Sequence, residues 1–489
     1  MGLAEFAKVR SGGPAIALSL FVALMGSLTL APALLCILGR VVFWPNGLPK
    51  VADTEKKEGL WTRLSRAVVK RPAWIWATAV IVLLPLAFLG FHVKSSYKAT
   101  SELSSSSSSV QGLEAIQSHF TAGETGPLTV LLTAKTDWDS KEGRKLIQHL
   151  SQGFARLENV AEVRSLTQPL GAELSSLFSG AEAESDAESK STPGPLSSFV
   201  KSMFSKMKNG MQGLIVSQAQ KSAKKHYVSD IDQGRSVTRL DIILKSDPFD
   251  KKSVQTMNVV QTWLSQELPE TVGKTVENLE TNIYGVTVSS RDLAAVTESD
   301  RQRINVLVVI GILLILLVLV KKVWLASYLL ITVLFSYYAT LGATTLVSTW
   351  VHGRELGIVD WRVPFFLFTI LVAVGEDYNI FLMTRAMKEG KRRGPIEGLR
   401  HALARTGGTI TSCGLIMAGT FATLMLAGLG TLVQIGFALA FGVLLDTFVV
   451  RPILVPAFIA MVWGNREPEP EQTLLKMPQR DETSRRLAA

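Results

Sequence analysis

The sequence predicts a polytopic α-helical membrane protein with about seven transmembrane helices and one α/β domain outside the membrane. First, its 489 residues are 47% hydrophobic with a mean hydropathy of +0.27, although 19% of them are charged. A soluble protein with that charge content is less apolar unless its apolar residues are gathered into blocks. Second, the apolar residues of this chain are gathered into long runs. Third, residues 94–303, between the second and third runs, have the mixed composition of a folded soluble domain.

Seven of the apolar runs are long enough to cross a membrane, because a hydrocarbon core of about 30 Å needs about 20 helical residues. The third run ends at Lys321 and Lys322, which predicts a tight hairpin into the fourth. The seventh is expected to break near Arg451 and Pro452, since proline interrupts helical hydrogen bonding. The runs occupy residues 14–38, 73–93, 304–320, 323–349, 364–384, 408–430 and 432–462.

Basic residues define the expected orientation. The net charge of +10 would suit a nucleic-acid-binding protein, but the lysines and arginines cluster at the ends of apolar runs. That pattern indicates membrane topology instead, with the basic connections at 39–72 and 385–407 in the cytoplasm. In order, the predicted segments are one helix within 1–45, a cytoplasmic linker at 46–72, a helix at 73–93, the outer domain at 94–303, two helices at 304–349, a helix at 364–384, a basic amphipathic segment at 385–407, two helices at 408–463 and a disordered cytoplasmic tail at 464–489.

The outer domain is predicted to contain two strand–helix–strand units, since strand-like and helix-like periodicities alternate along it. Such alternation favours an α/β sandwich, here of two related lobes. The predicted strands are 127–135, 160–166, 236–245 and 282–288, and the predicted helices are 140–157 and 250–268.

Little in the sequence indicates an enzyme. A polar insert at 179–195 is expected to be disordered, and the outer domain shows no pairing of a nucleophile with a base. Cys36 and Cys413 both fall in apolar runs, the six histidines show no metal-ligand spacing, and no glycine-rich nucleotide loop occurs. We therefore expect no cofactor and no metal.

Two adjacent carboxylates in the fifth run, Glu376 and Asp377, are the strongest functional signal, since charges inside a bilayer are rare and default to function. Neighbouring helical residues project about 100° apart, so these two cannot share a face. A buried carboxylic acid holds its proton and releases it when water, a tyrosine hydroxyl or a cation approaches. Asp377 is therefore predicted to be a proton carrier. Glu376 could face the interior or the headgroups, and a purely structural polar contact is the alternative for both acids.

Four further residues are candidate supports for this proton carrier. Asp446 is a second intramembrane acid, and its direct pairing with Arg451 is expected to be loose, because residues five apart do not stack on an α-helix. Alternatively, Arg451 marks the cytoplasmic border and Asp446 pairs structurally. Thr409 and Ser412 share one face of the sixth run and could offer hydroxyls to Asp377, although tight helix packing explains them equally.

The sequence GEDYNIFLMTR at 375–385 is similar to the G-x-D-Y-N-x-F-L-x-x-R motif in the second half of MMPL-type transporters of the resistance-nodulation-division superfamily. The similarity extends over nearly the whole chain, and residues 1–45 resemble the last helix of the first half. Other matching segments are 406–424 and 436–457 in the membrane and 160–171, 237–249 and 284–301 in the outer domain.

The resemblance implies two pseudo-symmetric halves in the bacterial inner (cytoplasmic) membrane, each with a porter-like extracytoplasmic domain. It also implies export of lipids or other hydrophobic molecules, driven by protons through one aspartate–tyrosine pair in each half. Only Asp377–Tyr378 is present here. The chain is therefore expected to be a C-terminal part that works with a missing N-terminal half, a homologous partner chain or as an oligomer. A non-transporting scaffold or a lipid or sterol sensor of the same superfamily is the alternative.

Overall fold

The computed structural model describes residues 5–43, 60–98, 103, 107–171, 218, 220–231, 234–272, 279–352 and 357–464. The chain divides into two compact units, a membrane unit of Met1–Ser96 with Asp300–Ala489, and an α/β unit of Tyr97–Ser299. The insert predicted at 179–195 and nearly all of the predicted tail lie outside the described residues.

The helices are α1 Ala7–Leu38, α2 Leu60–Lys70, α3 Pro72–Phe91, α4 Ser108–His119, α5 Lys141–Ala155, α6 Lys251–Val272, α7 Val286–Val320, α8 Val323–His352, α9 Arg362–Arg393, α10 Pro395–Ala422, α11 Gly430–Leu445 and α12 Val455–Gly464. The strands are β1 Lys94–Ser96, β2 Leu128–Ala134, β3 Val160–Arg164, β4 Val228–Ile231, β5 Arg235–Leu244, β6 Glu280–Tyr284 and β7 Ile358–Asp360.

The described residues contain seven helical segments that are long and apolar enough to cross a membrane. The last of them runs without interruption through α11, a π-helix at Asp446–Leu454 and α12. The break expected at Pro452 is thus replaced by a change of helix type. Together with the α/β unit, these helices confirm the predicted class, a polytopic helical membrane protein with an α/β domain.

The α/β unit is built on one antiparallel sheet, in which the strands lie in the order β3-β5-β2-β6 and β4 also pairs with β5. Each β–α–β unit, β2–α5–β3 and β5–α6–β6, is split by a strand of the other, which is the ferredoxin-like arrangement. The two expected β–α–β units are present, but they share one sheet and do not form two lobes. Pairing between strands distant in sequence, which local periodicity does not report, merges the two units into one sheet.

The predicted strand at 282–288 is also wrong in its second half. Strand β6 ends at Tyr284, Gly285 adopts a φ of 148°, and α7 begins at Val286. A φ in this range is readily accessible only to glycine, so Gly285 allows the sharp change from strand to helix. The apolar residues that follow resemble a strand locally, but they form the first turn of α7.

Helices α3 and α8 approach each other closely because each has a glycine at the contact. A Cβ atom on Gly90 would lie 1.8 Å from the Tyr338 carbonyl oxygen, and a Cβ on Gly342 would lie 1.9 Å from that of Leu86. A third close contact lies at Gly414 of α10, where a Cβ would be 2.2 Å from the Thr447 hydroxyl oxygen. Glycines thus let α3 and α8 pack backbone to backbone, and they let the Thr447 side chain lie directly on α10.

Helix α1 contacts the rest of the membrane unit near its start. The backbone N–H groups of Glu5 and Phe6 donate to the Asp300 carboxylate at 2.9 and 2.8 Å, and the Phe6 ring meets the Trp361 ring edge to face. The apolar side chains along α1 are exposed. In a membrane, lipid or another protein segment can therefore cover this face of α1, and the contacts that α1 makes near its start are kept.

Candidate functional site

Helix α9 directs its two adjacent acids in different directions. Glu376 is 3% exposed and lies inside the bundle, whereas Asp377 lies on the exposed side of α9. This separation follows from the angle between successive helical residues. The sequence left the direction of Glu376 open, and the structure places it in the interior.

Asp446 and Arg451 meet because the backbone between them is a π-helix. A π-helix bonds residue i to residue i+5, so side chains five apart come onto one face. The Arg451 Nη2 atom lies 3.8 Å from the Asp446 Oδ2 atom, and both side chains are 2% exposed. The pairing is loose, as expected, because the Asp446 Oδ2 atom accepts no hydrogen bond. The expected geometry differs, since a π-helix and not an α-helix brings the two side chains onto one face. Arg451 thus lies inside the helix bundle beside this acid. Pro452, within this segment, was the available signal, since proline cannot supply a helical N–H.

Arg451 connects the π-helix to α9. Its guanidinium carbon lies 4.2 Å from the centre of the Tyr378 ring, in cation–π geometry. Its Nη1 and Nη2 groups donate at 3.4 Å to the Thr447 hydroxyl and to the Val374 carbonyl oxygen. Arg451 therefore touches both the interior acid Asp446 and the tyrosine beside the exposed Asp377.

Helices α8 and α9 provide the remaining contacts of Asp446. The Ser336 hydroxyl of α8 donates to the Asp446 Oδ1 atom at 2.5 Å. A Cβ on Gly375 would lie 3.2 Å from the Asp446 Oδ2 atom, so the missing side chain lets the carboxylate lie against α9. Ser336 was not anticipated. The available signal was a repeat of buried hydroxyl residues every fourth position of α8, at Thr332, Ser336, Thr340 and Thr344.

Several buried polar atoms around this cluster have no hydrogen-bond partner among the described residues. They are both oxygens of Glu376, both amide atoms of Asn379, the Asp446 Oδ2 atom and the Arg451 Nε atom. The Asn379 amide lies near the Glu376 carboxylate but does not form a hydrogen bond of ordinary geometry with it. Unsatisfied polar groups in an interior are costly and uncommon. Their concentration here distinguishes this region from ordinary helix packing.

The structure does not bring every candidate residue to this cluster. Thr409 and Ser412 lie on the exposed side of α10, and the Ser412 hydroxyl donates to the Gly408 carbonyl of its own helix at 3.1 Å. The Tyr378 hydroxyl contacts α10 through the sulfur of Met417, at 3.3 Å.

We call Glu376, Asp377, Asp446 and Arg451 the acidic site. No group of three or more His, Cys, Asp and Glu side chains in the described ranges is arranged to hold a metal.

The chain is similar along most of its length to membrane proteins of bacteria. A membrane protein of Streptomyces coelicolor is 30% identical over 93% of this chain and 45% of its own length. The apo-petrobactin exporter of Bacillus anthracis is 29% identical over 94% of this chain and 54% of its own length. The sulfolipid-1 exporter of Mycobacterium tuberculosis is 33% identical over 53% of this chain and 23% of its own length.

The chain thus spans about half the length of the curated relatives that it matches along most of its own sequence. The model of the MMPL family matches residues 1–75 and 102–486, which include all four residues of the acidic site. On this match, the chain is a multi-pass membrane protein that belongs to the MMPL family.

Proposed function

We propose that the chain is part of a proton-driven exporter of lipids or other hydrophobic molecules, in which Asp377 and Tyr378 form the proton relay and Glu376, Asp446 and Arg451 support it. Two relatives named as exporters, of apo-petrobactin and of sulfolipid-1, support export as the activity. No cofactor is needed for this function, because the energy comes from the movement of protons down their gradient.

The charge of the acidic site is the observation that carries the proposal. Three carboxylates, Glu376, Asp377 and Asp446, accompany a single guanidinium, that of Arg451. With all four groups ionised, the site would carry a net negative charge. Net charge within a bilayer is expensive, so the site favours the uptake of protons. A gradient that loads the site from one side of the membrane and unloads it to the other side can then drive a conformational cycle.

Tyr378 and Arg451 are placed to link the exposed and interior acids. Asp377 is the neighbour of Tyr378, the Tyr378 ring lies against the guanidinium of Arg451, and Arg451 pairs with Asp446. A proton that reaches Asp377 changes the charge next to Tyr378. Through Arg451, it also changes the strength of the charge interaction at Asp446. We propose that this chain of contacts couples protonation of α9 to movement of the π-helix.

The exposed side of α9 indicates which kind of partner covers it. A carboxylate that faces lipid is costly, and Asp377 lies on the exposed side of the described unit. We propose that this side is covered by protein, either a second MMPL half or a second copy of this chain. We also propose that the unit lies in the bacterial inner membrane, with residues 94–303 extracytoplasmic and the C-terminus cytoplasmic, as the basic connections indicate.

The substitution Asp377→Asn in the complete transporter is expected to lower proton-coupled export by about 100-fold or more, the usual contribution of a proton-transferring side chain. Thermal unfolding and membrane insertion should not change, because Asp377 is exposed and asparagine has nearly the same shape. The measurement is export of a hydrophobic reporter from cells, together with proton uptake in proteoliposomes under an imposed pH gradient.

The matched control is Ser412→Ala, since Ser412 also lies on an exposed helix face and bonds to its own helix. This control should export normally. Normal export by Asp377→Asn would overturn the relay assignment. Lipid binding that persists in all variants and does not respond to the gradient would instead identify a scaffold or a sensor.

A further inference from the structure

A small cavity lies beside Arg451, between α2, α9, α10 and the π-helix. Its volume of about 10 Å³ is room for about one water molecule. Arg451 thus contacts Asp446 and Tyr378 and also lines this space, which we call the Arg451 cavity. Its lining includes Trp61, Thr406, Gly407, Ile410, Thr447 and Arg451.

The Arg451 cavity has the polar groups that an internal water needs, namely two to four hydrogen-bond partners. The Nε–H group of Arg451, a side chain that is 2% exposed, is a buried donor with no partner among the described residues. Two hydroxyl residues, Thr406 and Thr447, also line the space. Thr406 donates its proton to the Ala402 carbonyl at 2.8 Å, so its oxygen remains free to accept.

Trp61 of α2 forms one wall of this cavity. Its indole ring lies directly on the backbone of Gly407, where a Cβ atom would be 2.4 Å from the Trp61 Cδ2 atom. The absence of a side chain at Gly407 therefore allows the Trp61 ring to pack against α10. No other residue would leave room for the ring there without moving it.

Helix α2 is built to lie at a membrane surface. Ser65 and Val68 are buried, whereas Arg63 and Lys70 on its other side are exposed. A helix that is apolar on one side and basic on the other is typical of the interface between a membrane and the cytoplasm. It is joined to α3 through the single residue Arg71.

We propose that Trp61 is a movable plug that closes the Arg451 cavity from the cytoplasm. When α2 swings outward, bulk water reaches the cavity and, through it, the acidic site. Water that has entered past Arg451 then takes the proton of a carboxylic acid of the site. The acid O–H bond breaks as the new water O–H bond forms, and hydronium leaves through the cavity to the cytoplasm. This role in proton release rests on the proposed function, but the plug itself does not.

The experiment measures access to the cavity from one side of the membrane. In the full chain with Cys36→Ser and Cys413→Ser, the substitution Thr447→Cys places a reporter thiol at a position that is 0% exposed. Inside-out vesicles are treated with a membrane-impermeant maleimide, and the labelling rate is followed. Because a minor open state is populated at about 10% or less, Trp61→Ala should raise that rate by about tenfold or more.

Two further variants test the same prediction, one as a second way to open the cavity and one as a control. Gly407→Ala should raise labelling in the same way, since its Cβ displaces an intact Trp61. Leu60→Ala, on the same helix but 82% exposed and outside the cavity lining, should leave the rate unchanged. Labelling that is no faster in either Trp61→Ala or Gly407→Ala, or that is faster from the opposite side in right-side-out vesicles, would overturn the plug.

The test of the plug and the test of the proposed function can fail independently of each other. Labelling requires no transport, so a failure of the Asp377→Asn test leaves the labelling result intact. In proteoliposomes, Trp61→Ala should also raise passive proton leak. Fast labelling without any increase in leak would show that the cavity opens to water but is not on the proton path, which would overturn that part of the proposal.

Discussion

Arg451→Met is expected to abolish proton-coupled export and to lower the free energy of unfolding of the membrane unit by about 3–5 kcal/mol. Arg451 is the guanidinium that pairs with the buried Asp446, and it also holds the Tyr378 ring and the Val374 carbonyl. Its removal leaves an uncompensated carboxylate in the interior. The measurements are unfolding of the full chain in bicelles by denaturant titration, and export in cells.

A double substitution separates charge from packing in this prediction. Asp446→Asn combined with Arg451→Met removes both charges and should recover a large part of the lost stability without restoring export. Lys388→Met, at an exposed position of the same α9, is the matched control for the loss of a cation and should be close to neutral. Unchanged stability in Arg451→Met would show that the contact between Arg451 and Asp446 does not support the fold.

Gly342→Ala is expected to destabilise the membrane unit by about 3 kcal/mol, at the upper end of what overpacking usually costs. The added Cβ would lie 1.9 Å from the Leu86 carbonyl oxygen, which is backbone and cannot rotate away. Helix α8 would have to separate from α3, and Ser336 on α8 would move with respect to Asp446. Denaturant titration of the purified chain measures the loss, and the yield of membrane-inserted protein reports it in cells.

Gly311→Ala is the matched control, because it places the same methyl group on α7 with nothing within 4 Å. Alanine is a better helix former than glycine by about 1 kcal/mol, so this variant should be as stable as the parent or slightly more stable. If both variants had the same stability, the close approach of α3 and α8 would not contribute to the fold.

Most of the secondary structure was open to prediction because it depends on local pattern. Apolar runs reflect the thickness of a bilayer, and the strands β2 and β5 and the helices α5 and α6 follow from their periodicity. The main error occurred where distant parts of the chain decide the outcome, since the sheet of the α/β unit interleaves two β–α–β units that were predicted to form two related lobes. A second error was local, because Gly285 ends a strand that the apolar pattern would extend.

For the acidic site, the sequence by itself determined that Glu376, Asp377 and Asp446 lie in membrane-spanning helices, because those residues fall within apolar runs too long for anything else. It did not determine which of them face inward. The rotation of α9 about its axis depends on the helices packed against it, and these place Glu376 inside and Asp377 outside. Likewise, only the tertiary structure converted residues 446–454 to a π-helix and so joined Asp446 to Arg451. Helix type and helix rotation are set by packing between elements, which a pattern along a single chain does not contain.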